Sequence, residues 1–432
     1  MSVRSAFRFL SAYTAAKRLD RIDSRERIGR RQQRWLDVLL QEVGQRSPFY
    51  REFAGRPFAD WPVIDKQIWM DRFDDINTVG AHRAELLEVA SRAETTRDFA
   101  PTWNGFTVGL SSGTSGARGL FMASPTERAE WAATLLAKLM DGSILRREKI
   151  ALVLRAGSGL YESVQALRLQ FAFIDQTWPW SRIVESLCEN KPTILAAPAR
   201  VLRLLADQSA PLRPRRIISV AEVLDDLDRR RIEDRFAVRV EQIYQATEGL
   251  LGMTCERGLI HLNEPYIMVE PEWQDAKRTR MIPIVTDLKR RSQPVIRYRL
   301  NDVLRVADGA CPCGRAALAL AGVDGRRDDI LWLDGLAAPI PVFPDVLTRA
   351  ILNRVENLRD FEVQELSPGH WRFGLEPAPP PPIGARLMHD CSAMARALGA
   401  KPPRMHITGI QPLPFTSKQR RIRGCRVSQC AY

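Results

Sequence analysis

The stretch FTVGLSSGTSGARGLFMASPTE, Phe106–Glu127, decides how the chain is read. Phe106, Val108 and Leu110 alternate with small or polar residues, the period of a strand. Leu110–Gly119 then packs three glycines and four hydroxyl residues into ten positions. GLFMAS, Gly119–Ser124, reads as a second strand, after which Ser124 caps a helix with Pro125 at its first position and Glu127 completing a capping box. A Walker-type loop passes straight from strand to helix and ends in Gly-Lys-Ser/Thr, and neither feature occurs. The stretch is a strand–loop–strand unit. Gly113 and Gly116 let backbone N–H groups converge on an anion, and Ser111, Ser112, Thr114 and Ser115 add hydroxyl donors. By itself the loop fits both a phosphate cradle and a plain connection.

A chain of 432 residues exceeds one ordinary core and predicts two or three domains. With 45% apolar and 27% charged residues it reads as globular. No apolar run approaches the roughly 20 residues of a membrane span. MSVRSAFRFLSAYTAAKRL at the start has some signal-peptide character, but Arg8 interrupts its apolar segment and no cleavage site follows, so a helix in the cytoplasm is expected. The net charge of +13 raises nucleic acid as a partner, yet the basic residues are scattered and no nucleic-acid motif accompanies them. Runs such as RPRR, Arg213–Arg216, read as solvated faces, and no nucleic-acid partner is expected. Seven cysteines without a secretion signal indicate thiols or metal ligands instead of a disulfide framework.

The first hundred residues read as largely helical, Trp35–Val43 with an amphipathic spacing. From Ile150 to Tyr244 strands and helices alternate: strands at Ile150–Leu154, Thr193–Ala197, Arg216–Val220 and Arg239–Tyr244, helices at Pro198–Asp207 and Leu224–Phe236. Such alternation predicts a parallel α/β sheet whose ligands gather at the carboxyl ends of the strands. YQATEG, Tyr244–Gly249, falls at such an end. Its tyrosine offers an aromatic face, its threonine a hydroxyl, and its glutamate a hard carboxylate suited to Mg²⁺.

Taken together, SSGTSG, YQATEG, IRYRLND (Ile296–Asp302), GRRDD (Gly325–Asp329) and PFTSKQRR (Pro414–Arg421) resemble the adenylate-forming superfamily in order and spacing. The likeness is strongest to its phenylacetate-CoA ligase, CapK and coenzyme F390 synthetase-like branch, to which SPFYREF (Ser47–Phe53), PVIDKQIW (Pro62–Trp69) and CPCGR (Cys311–Arg315) also correspond. It implies a large N-terminal α/β domain with a parallel sheet, residues 1–325, and a small mobile α+β C-terminal domain, residues 326–432. The implied activity is ATP-dependent conversion of a carboxylic acid to an acyl-adenylate, then transfer to coenzyme A or a carrier-protein thiol. Alternatives are an adenylyltransferase acting on a phenolic hydroxyl and a catalytically silent nucleotide binder; a homodimer stays open.

The resemblance also implies roles. Ser111–Gly116 would hold the β- and γ-phosphates, Thr247 would contact the α-phosphate, and Glu248 would position Mg²⁺. Tyr244 would lie against adenine with Ala221 and Glu222 on its other side, Asp302 would bind the ribose hydroxyls, and Arg326 would assist. Lys418 would neutralise charge in the transition state, and Asp328 would be the hinge. One departure is plain: the usual loop ends Gly-Lys, whereas Gly116 is followed by Ala117 and the cation arrives as Arg118. Either Arg118 substitutes as the pyrophosphate contact or the loop grips ATP less tightly. PAPPPPIG, Pro377–Gly384, is expected as a loop between a strand and a helix of the C-terminal domain.

Cys255, His261, Cys311 and Cys313 make four ligands able to close a tetrahedral Zn²⁺ site, although Cys-x-Cys is tighter than the common Cys-x₂-Cys. Four unliganded residues is the alternative. Gly157 and Gly159 beside Tyr161 are expected in the acid pocket, where they would admit an aromatic ring. An aryl or arylacetic acid is the expected substrate, chiefly by the branch resemblance.

Overall fold

Five parallel strands carry the architecture, in the order Leu169–Asp175, Glu148–Leu154, Ile194–Ala197, Arg216–Val220 and Val240–Ala246. Every residue of the Ile194–Ala197 and Arg216–Val220 strands is buried, as a sheet covered on both faces requires. Among the described residues the crossovers are the helices Trp180–Asn190, Ala199–Asp207 and Asp226–Phe236. Beyond Val240–Ala246 the sheet turns antiparallel through Gly249–Thr254 and Ile260–Leu262, a change the alternation did not announce.

This computed structural model describes residues 3–111, 118–140, 147–157, 169–208, 211–336, 338–410, 415–416 and 419–425. Ser112, Gly113, Thr114, Ser115, Gly116, Gly159, Tyr161 and Lys418 therefore lie outside the described residues. Two compact units make up the chain: Met1–Leu300 with Arg305–Gly322, and Asn301–Leu304 with Val323–Tyr432.

In the first unit, helix Val3–Leu19 lays Tyr13 and Ala16 onto Ala132 and Leu136 of helix Pro125–Leu139. Ser124 caps that second helix through the expected capping box, its hydroxyl accepting from Glu127 N and the Glu127 carboxylate from Ser124 N. Strands Thr107–Leu110 and Leu120–Ala123 pair antiparallel as a separate hairpin. The RPRR run is solvated only in part: Arg213 and Arg215 are exposed, Arg215 pairing with Glu148, whereas Arg216 is buried and pairs with Glu241. Among the described residues no helix is long and apolar enough to cross a membrane.

The second unit is α+β. Its sheet runs Arg404–Thr408, His370–Glu376, Asp360–Ser367, Ile422–Arg423, with helices Pro344–Leu352 and Pro381–Ala397 alongside. The proline run is a loop only as far as Pro380, because Pro381 already opens the helix, where a missing N–H costs nothing. Asp328 and Asp329 lie in a 3₁₀ turn, Arg327–Asp329, and a short strand follows at Leu331–Leu333.

Candidate functional site

The hairpin neck comes first. Ser111 N donates to Gly119 O at 2.7 Å and Gly119 N donates to Ser111 Oγ at 2.7 Å, closing the base of the loop. Arg118, at that base, does not present a free guanidinium: its Nη1 and Nη2 both bind Glu94, at 2.6 Å for the first, and its Nε donates to Ser111 O at 2.8 Å.

Thr247 and Glu248 form the turn between strands Val240–Ala246 and Gly249–Thr254, at the carboxyl end of the parallel sheet. Glu248 is buried, and the fully buried Tyr298 donates its phenol to the Glu248 carboxylate. Burial first, then that carboxylate, push the Tyr298 pKa far above the usual tyrosine value, so the phenol stays a donor. Gly249 sits at φ +154°, and a Cβ there would meet Asp287 Oδ2 at 2.9 Å, so the turn and the end of strand Arg280–Asp287 are in contact.

Residues that the sequence reading passed over hold this region together. Past Asp287 the chain reads LKRRSQ, which by composition is an ordinary charged loop. Arg290 Nη1 donates to Thr247 O at 2.5 Å, and its Nη2 donates to Gln293 Oε1 at 2.6 Å and Met122 O at 3.3 Å. Gln293, fully buried, accepts from Met122 N at 2.9 Å and donates to Leu120 O at 3.0 Å. Glu127 accepts from Arg291 N, Ser292 N and Ser292 Oγ besides Ser124 N. Those hydrogen bonds outweigh desolvation and hold its carboxyl below the usual glutamate range. Burial, conversely, raises Asp287 and lowers Arg290, against the opposing pull of their opposite charges. The available signal was a charged run with a glutamine directly after a buried apolar strand.

Of the expected adenine contacts, Ala221 follows the strand whose Val220 pairs with Ile243, which puts it beside Tyr244. Ala221 holds φ +63°, a left-handed conformation that favours glycine. Glu222 Oε2 accepts from Arg200 N at 3.1 Å, so this carboxylate serves the N-terminal end of helix Ala199–Asp207. Tyr244 packs on the cluster of Trp61, Trp69 and Tyr298. Gly157 has little spare room: a Cβ there would lie 2.9 Å from Phe99 and 3.4 Å from Phe173, whose rings meet edge to face.

Within the second unit, Arg326 Nε lies 3.9 Å from Asp302 Oδ1. Asp328 Oδ2 accepts from Asn301 Nδ2 at 2.6 Å, and its carbonyl accepts from Gly424 N at 3.2 Å. Beyond position 418 the chain is pinned twice, Arg420 to Asp329 and both Gln419 and Arg421 to Asp360.

The four expected metal ligands converge in the first unit, with donor atoms within 4.8 Å of one another. Cys255 Sγ and Cys311 Sγ are 3.7 Å apart, and Cys313 Sγ is 3.3 Å from His261 Nε2. Tetrahedral zinc with bonds of about 2.3 Å to sulfur and 2.05 Å to nitrogen separates its ligands by about 3.8 and 3.6 Å, so the set fits. Turns at Gly258 and Gly314, both at positive φ, present the cysteines, and Arg257 N donates to Cys255 Sγ. His261 Nδ1 faces Ala317 O at 2.8 Å, which leaves Nε2 for a metal. Burial and the neighbouring thiols push Cys311 up to about 11 in the absence of a cation.

Against solved structures the chain aligns over nearly its whole length with 2-hydroxyisobutyryl-CoA ligase in the postadenylation state in complex with R3-HIB-AMP. The TM-score is 0.65 at 18% identity, covering 95% of this chain and 92% of that one. The fold is that of the adenylate-forming enzymes. The same ligase in an open conformation with 2-HIB-AMP and CoA gives a TM-score of 0.56 at 20% identity over 91% of this chain and 90% of that one. Amide bond synthetase McbA from Marinactinospora thermotolerans gives 0.51 at 14% identity over 73% and 68%. No protein-family model and no curated protein matches the chain.

Proposed function

We propose that this protein activates a carboxylic acid with ATP and passes the acyl group to a thiol. The acid's oxygen attacks the α-phosphorus and pyrophosphate leaves; a thiol sulfur then attacks the acyl carbon, AMP leaves, and the thiol proton goes to solvent. One observation carries the reading: in an adenylate-forming fold, a threonine and a buried glutamate form the turn at the carboxyl end of the parallel sheet, linked through Arg290 and Gln293 to the hairpin that bears the Ser/Gly loop.

In this reading Ser111–Gly116 hold the β- and γ-phosphates and Thr247 the α-phosphate. Tyr244, Ala221 and Glu222 border adenine, while Asp302 and Arg326 take the ribose. Glu248 is a hard ligand suited to Mg²⁺, which would spread the charge that builds on the phosphates. Lys418, on residues 326–432 acting as a lid that turns about Asp328, neutralises charge in the transition state. Gly157, Gly159 and Tyr161 belong to the acid pocket, and the branch likeness supports an aryl or arylacetic acid as in phenylacetate-CoA ligases, although Phe99 and Phe173 already fill the space beside Gly157. Coenzyme A is the acceptor favoured by the ligase solved with CoA, ahead of a carrier protein, and a cytoplasmic site suits these substrates. Cys255, His261, Cys311 and Cys313 hold a structural zinc, with no open position for catalysis.

Acid-dependent ATP–pyrophosphate exchange over a panel of aryl, arylacetic and short hydroxy acids tests the reading. Exchange with one class and thioester formation with coenzyme A support it. The Arg118–Glu94 pair favours a second reading, nucleotide binding without adenylation, since it leaves the loop without its own free cation. Binding of MgATP with no exchange for any acid selects that one.

A further inference from the structure

Among the described residues there is no direct backbone ladder between the loop-bearing hairpin and the Thr247–Glu248 turn: the hairpin is its own two-stranded sheet, and the turn adjoins the large one. Two phosphate-binding pieces on separate sheets need something to fix their spacing, because a nucleotide engages both at once. Among the described residues one guanidinium bonds to both. Arg290 holds Thr247 O with one nitrogen and Met122 O with the other, and that second nitrogen also binds Gln293 Oε1. Gln293 in turn bonds to the hairpin strand at both Leu120 and Met122, the way a neighbouring strand would.

We propose that Arg290, seated through Gln293, is the positioning residue that sets the distance between the phosphate-loop hairpin and the Thr247–Glu248 turn. The inference rests on the nucleotide reading given above. A lysine is not equivalent here: its ammonium is a point donor, whereas the planar fork reaches two carbonyls and an amide oxygen in fixed directions. The charge itself matters separately, since Glu127, Asp287 and Glu248 all face Arg290 and would be left uncompensated by a neutral side chain. Tyr298 faces it as well, and the Trp69 ring lies 5.8 Å from the guanidinium carbon. Arg290→Lys therefore keeps the charge and removes the geometry.

A positioning role predicts a loss that tracks phosphate. In calorimetric titrations, Arg290→Lys weakens MgATP binding about tenfold, the scale of one charge-assisted hydrogen bond, and leaves adenosine binding within about twofold. Gln293→Met, which cuts the link to the hairpin and changes no charge, gives a smaller loss of the same selectivity and serves if the lysine variant does not fold. Equal weakening of MgATP and adenosine, or no weakening of either, overturns the proposal while the nucleotide reading survives. Wild-type protein that binds neither ligand overturns both.

Discussion

Arg118 and Glu94 are joined through both terminal guanidinium nitrogens, and the pair sits at the base of the Ser/Gly loop. Glu94 holds the arginine's pKa above its usual value. Glu94→Gln releases the guanidinium toward an anion, so MgATP affinity rises severalfold at low salt and the gain shrinks as salt increases. Unchanged affinity in titrations at both salt levels means that Arg118 does not reach the phosphates.

Lys418 is the sharpest test of the adenylation reading. Lys418→Ala lowers acid-dependent pyrophosphate exchange by about 10²- to 10³-fold, the scale of removing one transition-state donor, while MgATP affinity moves less than about twofold. Exchange at the wild-type rate removes the assignment.

If zinc closes the cysteine cluster, purified protein carries about one equivalent per chain. Cys313→Ser then lowers both the metal content and the melting temperature, and a strong chelator lowers the melting temperature of the wild type toward that of the variant. Metal-free wild-type protein that melts no lower would contradict this.

Glu127 accepts four hydrogen bonds from donors on two segments, one oxygen taking Arg291 N and Ser292 N, the other Ser124 N and Ser292 Oγ. Glu127→Gln turns an NH₂ group toward donors and costs about 1–3 kcal/mol of stability. The folded pKa is depressed, so the carboxylate's contribution is complete above its ordinary value of 4.5 and is lost as pH falls through the folded value. Melting curves of the two proteins consequently converge in acid; a gap independent of pH would show that the charge is not what stabilises.

Gly424 offers a check on the packing around Asp328 and Ile330. A Cβ there would lie 2.4 Å from Ile330 O and 3.1 Å from Asp328 O, both backbone atoms. Gly424→Ala forces that backbone apart, destabilising the second unit by roughly 1–3 kcal/mol. Proteolysis rates of the two proteins measure the effect, and equal rates would show that the contact yields without cost.

Much of the architecture is local, and local signals carried it. Period-two alternation at Phe106–Leu110, the Ser124/Glu127 capping box and the strand–helix alternation from Ile150 onward each describe a few neighbouring residues, and each element forms where those residues place it. Cys255, His261, Cys311 and Cys313 were readable as a set because their chemistry is distinctive, and they do converge, although Cys255 and Cys311 lie 56 residues apart in the chain.

What the sequence by itself determined, then, is the hairpin with its capped helix, four of the five parallel strands and the position of the Thr247–Glu248 turn at a strand's carboxyl end, since periodicity and capping act within a turn or two of chain. Only the tertiary structure decided which charges are spent on one another. Arg118 finds Glu94 across 24 positions, Glu222 serves the Arg200 N–H across 22, and Arg290 spans to Thr247 across 43 and to Met122 across 168. Arginine and glutamate look alike in a sequence whether solvated or paired. Their partners are set by which strands pack together, and that packing is a property of the whole core.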